Sequence, residues 1–149
     1  GPPGAGKTKI ITLLAQSYNA VIMKTNVERC IKQMTEYHID VAPTIAKPFI
    51  VLLDEVDESI NKIFLKPSEM LSSANALVSS LNPDEDEKIS KRTWNQLFDN
   101  INDGMYPYTM FILISNLTKV EIDKMNNSLL REGRINLHVQ MTKDSVIFN

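Results

Sequence analysis

The chain has a single cysteine, Cys30, among its 149 residues, so no disulfide can form within it. That excludes a disulfide-stapled scaffold and fits a reducing, intracellular compartment without pointing to any one organelle. It has only two histidines, His38 and His138, and neither stands at metal-ligand spacing from the other or from Cys30. All three read as structural or surface residues. There is no excess of positive charge: 16 Lys and Arg stand against 18 Asp and Glu, a net charge of -2. The overall charge therefore offers no broad attraction to nucleic acid or to an anionic membrane. No apolar run approaches the roughly 20 residues of a membrane-spanning helix. No signal-peptide pattern, internal repeat, low-complexity tract or interdomain linker is visible, and residues 1–149 read as one domain. Glycine is scarce as well, five in all, yet three of the five fall at Gly1, Gly4 and Gly6.

Those glycines belong to Gly1-Pro2-Pro3-Gly4-Ala5-Gly6-Lys7-Thr8, a full match to G-x-x-x-x-G-K-[ST], the phosphate-binding P-loop. Glycine lets the backbone take positive φ and bring its N–H groups close to a triphosphate. Lys7 supplies a point charge to the β- and γ-phosphates, and the Thr8 hydroxyl is a ligand for Mg²⁺. The helix that follows aims its positive end at the anion. Ile10, Ile11, Leu14, Ala15 and Tyr18 recur at helical spacing and predict that helix. The strand expected ahead of such a loop is missing, so the chain reads as an excerpt of a longer protein. Without that strand, the isolated segment is expected to fold poorly.

The remaining elements alternate. Ala20–Met23 suits a short buried strand. Val27, Cys30, Ile31 and Met34 line an amphipathic helix capped by Asn26, which buries the Cys30 thiol. Phe49–Leu53 is apolar throughout, as in a parallel strand covered on both faces, and it ends in Asp54-Glu55-Val56-Asp57-Glu58. Carboxylates at the carboxyl end of such a strand lie where open α/β sheets bind ligands. Met70 to Leu81 carries another helical stripe, and the acidic run Asp84–Glu87 reads as a solvated loop. Ser90 caps a helix with Trp94, Leu97, Phe98 and Ile101 on its apolar face, ended by Asp103-Gly104. Trp94 reads as packing rather than as a platform for a ligand. Thr109–Ile114 is a third buried strand, ending in Ser115-Asn116. Glu121 to Leu130 has helical character. Alternation at Ile135, Leu137 and Val139 predicts a final strand. Together these describe an α/β fold, a P-loop NTPase αβα sandwich with a mostly parallel sheet. With the loop in place, Asp54 is positioned to hold Mg²⁺, through water, and Glu55 to orient or deprotonate an attacking water.

At this point the chain resembles the AAA branch of the AAA+ ATPases over nearly its whole length. Gly1–Thr8 resembles that family's Walker A motif and Phe49–Asp57 its Walker B motif. Trp94–Met105 resembles the helix before the sensor strand, Phe111–Asn116 the strand ending in the sensor-1 Asn, and Ser128–Asn136 the L-L-R-P-G-R-x-D segment. The resemblance implies ATP and Mg²⁺ as ligands, Asn116 at the γ-phosphate or the attacking water, and Arg131 and Arg134 as arginine fingers. Those fingers would reach a neighbouring subunit's site in a ring, commonly a hexamer, acting on a protein substrate or adaptor. The resemblance implies a first strand ahead of Gly1 and a helical lid past Asn149, both expected outside this sequence. Three departures stand out: Glu132 replaces the Pro between the arginines, Asn136 replaces the Asp after them, and Met23–Asn26 lacks an aromatic pore-loop triplet. The spacing from Trp94 through Val139 and the short second-strand region are somewhat similar to the sub-family of the mitochondrial Rieske-protein translocase and its plant relatives.

Two other functions stay open on the residues alone. One is a nucleic-acid-directed ATPase of the clamp-loader or helicase type, against which stands the lack of a basic stripe or aromatic stacking platform. The other is a non-hydrolysing nucleotide-binding scaffold subunit. Retention of both Asp54 and Glu55 speaks against it, and Glu132 and Asn136 speak weakly for it.

Overall fold

A computed structural model describes residues 1–64, 90–125, 129, 133–142 and 146–148. The helical stripe expected over 70–81 and the acidic run at 84–87 lie outside the described residues. So does Arg131.

Among the described residues the first six elements are α1 (Lys7–Ser17), β1 (Val21–Thr25), α2 (Val27–Val41), β2 (Phe49–Leu53), α3 (Val56–Phe64) and α4 (Lys91–Asn102). Then come β3 (Thr109–Leu113), α5 (Lys119–Met125), β4 (Val139–Met141) and β5 (Val146–Phe148). β1, β2 and β3 form a parallel sheet in that order, with Val21, Phe49 and Thr109 in one row and Thr25, Leu53 and Leu113 in another. Parallel neighbours need crossovers, and the intervening helices supply them.

β2 is the centre of this sheet, and its alternation explains the unbroken apolar run. Phe49, Val51 and Leu53 join Val27, Cys30 and Met34 of α2, Val56 and Ile60 of α3, and Trp94, Leu97 and Phe98 of α4 in one core. Ile50 and Leu52 point the other way and pack with Ile11 and Ala15 of α1 and with Ile114. Each face of the strand is thus covered, and every one of its five side chains is buried. Trp94 is fully buried against Phe98, ring centroids 5.1 Å apart. This is the packing role its spacing implied.

The ends of the helices follow their sequences. The Asn26 side chain accepts from the Arg29 N–H at 2.8 Å and starts α2. Ser90 and Thr93 form a reciprocal capping box at the start of α4. Asp103 and Gly104, the latter at φ 75°, close it. Burial pushes the Cys30 thiol up to about 12, so it stays protonated and unreactive at neutral pH.

Four expectations change. On α1 only Ile11 and Ala15 are buried, whereas Ile10 and Tyr18 are exposed. The helical period placed five apolar residues near one face, but only the part lying over β2 finds a partner. β1 runs two residues further, to Thr25, carried by its ladder with Leu53. β3 is half-exposed rather than buried, since β2 covers only one of its edges among the described residues. The strand expected from Ile135 begins at Val139 instead, and it pairs antiparallel with β5 in a separate two-stranded sheet. Leu137 is left 64% exposed, with no ladder to join.

Candidate functional site

The loop ahead of α1 is shaped by backbone conformation. Gly4 and Gly6 sit at φ 78° and 77°, a region that costs any other residue about 1–2 kcal/mol. Gly6 is also the N-cap of α1 and has no side chain to occupy the first N–H groups, so these stay available to an anion. At Gly1 the constraint is contact: a Cβ there would run into the Met141 carbonyl of β4. The Gly1 nitrogen donates to the Ser115 carbonyl at 3.1 Å, which ties the start of the loop to the end of β3.

A cleft of about 390 Å³ opens beside this loop. Pro3 to Lys9 line one side, and Asp54, Glu55, Ile114 and Asn116 line the other. Residues more than a hundred positions apart thus meet where β2 and β3 end. Lys7 makes the closest link. Its Nζ donates to Asn116 Oδ1 at 2.9 Å, to the Pro2 carbonyl at 3.1 Å, and to the Gly1 carbonyl.

Asp54 prolongs β2: its N–H donates to the Thr25 carbonyl of β1 at 3.3 Å. Its Oδ1 accepts from the Glu55 N–H at 3.0 Å, and its Oδ2 pairs with Lys24 Nζ at 2.5 Å. The hydrogen bond and charge of Asp54 raise the Lys24 ammonium above its ordinary value. Glu55 is exposed at φ 52°, a left-handed conformation without glycine. Such strain collects where a structure must aim a side chain, and here it turns the chain from β2 into α3 with the carboxylate outward. Asn116 is held through its backbone: its N–H donates to Asp57 Oδ1 at 3.2 Å.

Of the residues picked out beforehand, the cleft unites Pro3, Gly4, Ala5, Gly6, Lys7, Thr8, Asp54, Glu55 and Asn116, while Gly1 and Pro2 meet the Lys7 ammonium. Arg134 lies in a turn, 8% exposed, and does not line the cleft. Two contributors were not singled out, Lys24 and Asp57. Asp57 stood in view within Asp-Glu-Val-Asp. Lys24 could be found only by pairing β1 with β2, which sets it opposite Leu52, two residues before Asp54.

The oxygen-bearing side chains lining the cleft are the Thr8 hydroxyl, the Asp54 and Glu55 carboxylates and the Asn116 amide. Among the described residues no three His, Cys, Asp or Glu cluster to hold a metal by themselves. Oxygen donors in so small a number suit a hard cation such as Mg²⁺, which keeps water and takes further ligands from substrate phosphates.

The family model for the ATPase family associated with various cellular activities (AAA) matches residues 1–143. The chain belongs to the AAA family. The general activity of AAA proteins is ATP hydrolysis, and among its described residues this AAA chain has an α/β core with a three-stranded parallel sheet. Comparison with curated proteins and with solved structures gave no match. No helix among the described residues is long and apolar enough to cross a membrane.

Proposed function

We propose that the cleft binds Mg-ATP and hydrolyses it, and that assembly into a ring couples this hydrolysis to remodelling or moving a protein. The observation that carries the reading is the convergence of the glycine loop, Asp54, Glu55 and Asn116 on one cleft, with Lys7 bonded to Asn116. In this reading the Gly1–Thr8 backbone cradles the phosphates. Lys7 exchanges the loop carbonyls and Asn116 for the β- and γ-phosphate oxygens. Thr8 and Asp54 would hold Mg²⁺, which would supply positive charge to offset that of the phosphates. Glu55 accepts the proton as the oxygen of a water forms a bond to the γ-phosphorus. The bond from that phosphorus to the β,γ-bridging oxygen breaks, and ADP leaves with its electron pair. Asn116 orients the water or the γ-phosphate. Arg131 and Arg134 of a neighbouring copy balance the charge that develops on the γ-phosphoryl oxygens. The likeness to the mitochondrial Rieske-protein translocase gains no support from the comparisons, so the protein acted on is defined here only as a protein substrate or adaptor.

The test is ATP turnover per chain as a function of protein concentration, using the full-length protein. Turnover is expected to rise with assembly. Arg131→Ala is expected to lower it by about 10³-fold or more, in line with other arginine fingers. Arg134 is buried, so Arg134→Ala is expected to lower both turnover and melting temperature. ATP binding without turnover at every concentration would instead favour a nucleotide-dependent scaffold, and the arginine roles would fall with it.

A further inference from the structure

Asp54 has two carboxylate oxygens, and the chain itself engages both. The Glu55 N–H takes Oδ1 and the Lys24 ammonium takes Oδ2. Lys24 reaches there from the neighbouring strand, because the β1–β2 register sets it opposite Leu52 and the ladder continues from Thr25 to Asp54. The partners differ in freedom. The Lys24 side chain is 60% exposed and that of Asp54 is 21% exposed. Asp54 is anchored by the backbone, whereas Lys24 sits on a flexible stem in solvent and can swing away. Exposed pairs of this kind release easily. Of the other ion pairs among the described residues, Lys62 with Glu28 and Lys119 with Asp123 both lie on the surface and join no residue of the cleft.

A cation arriving at Asp54 meets a carboxylate that already has a counter-charge. It must displace the ammonium or bind beside it against repulsion. We propose that Lys24 is a built-in counter-cation that competes with the divalent cation for Asp54 and so sets how much of that cation the site requires. The inference rests on the reading that Asp54 is the cation's protein ligand. It assigns Lys24 a positioning role, acting through Asp54 and not on the phosphates. With the cation scarce, Lys24 keeps Asp54 paired and in place. With the cation plentiful, the doubly charged ion wins the carboxylate and Lys24 turns to solvent.

Mn²⁺ serves as the probe. It is titrated into the complex of the full-length protein with a non-hydrolysable ATP analogue, and free Mn²⁺ is read by electron paramagnetic resonance. Removing one unit charge a few ångströms away in a solvated setting is worth about fivefold, so Lys24→Met is expected to bind Mn²⁺ about fivefold tighter than the wild type. Lys24→Arg keeps the charge and is expected to bind no tighter than the wild type. Lys62→Met removes a lysine that does not touch the cleft and is expected to change nothing. Unchanged Mn²⁺ affinity in Lys24→Met overturns the proposal. So does weaker binding of the analogue, which would mean that Lys24 serves the phosphates. If the wild-type complex takes up no more Mn²⁺ than the free analogue does, the assignment of Asp54 as cation ligand fails, and the role of Lys24 fails with it. Melting curves of each variant accompany the titrations. Lys24 is exposed, so a loss of folding in Lys24→Met but not in Lys24→Arg would mark the pair as structural and also overturn the proposal.

Discussion

β2 and β3 are parallel neighbours of equal length, paired residue for residue, yet they are mounted differently. All five side chains of β2 are buried, while none of the five on β3 is fully buried and Met110 is 52% exposed. Each strand delivers one part of the cleft. β2 ends in Asp54 and Glu55, so the carboxylates stand on the best-packed element of the chain. β3 ends towards Asn116, so the amide stands on a looser one and depends on polar ties at its tip: Asn116 to Asp57, and Lys7 to Asn116. The difference suggests a division of labour. The group proposed to hold a cation and supply a base is fixed by packing. The group proposed to sense the γ-phosphate is fixed by hydrogen bonds, which can be exchanged when a ligand arrives.

The largest test of this contrast is truncation of the two strands. Leu52→Ala is expected to cost about 2–5 kcal/mol, the range for a fully buried leucine. Met110→Ala, on an exposed position, is expected to stay within about 0.5 kcal/mol of the parent. Denaturant unfolding of both variants checks this, and equal costs would erase the distinction between the strands. A smaller effect sharpens the other half. Asp57→Ala removes the acceptor for the Asn116 N–H and is expected to lower turnover by about tenfold, the size of an ordinary loss of positioning. ATP affinity is expected to stay nearly constant. Asp57→Asn keeps an acceptor oxygen and should restore most of the turnover, and no rescue would mean that the charge of Asp57 matters rather than its hydrogen bond.

Much of this could be read from the residues in order. The glycine loop is legible because its spacing answers to one backbone task. β2 is legible because five apolar residues in a row have few other uses in a chain of this length. The caps at Asn26 and Ser90 and the close at Gly104 are local chemistry, written within four residues. What escaped is what depends on tertiary register. Lys24 looks like an ordinary polar residue after a strand until β1 is laid against β2. Tyr18 and Leu137 follow apolar periods, but their exposure depends on which neighbours exist, and a period carries no such information. β4 begins later than its alternation implies for the same reason, since alternation marks a strand's residues without naming the partner that sets its bounds, and β5 had no signal of its own. The family and its general activity follow from the whole pattern, whereas the protein acted on leaves no local signature in these residues.

The most direct test of the central claim compares ATP binding and ATP turnover in the wild type and in Glu55→Gln, within the same assembled protein. ATP binding is expected in both, with turnover reduced by about 10²–10⁴-fold in Glu55→Gln, the usual contribution of a general base. Equal turnover in the two, or failure of the wild type to bind ATP, would contradict that claim.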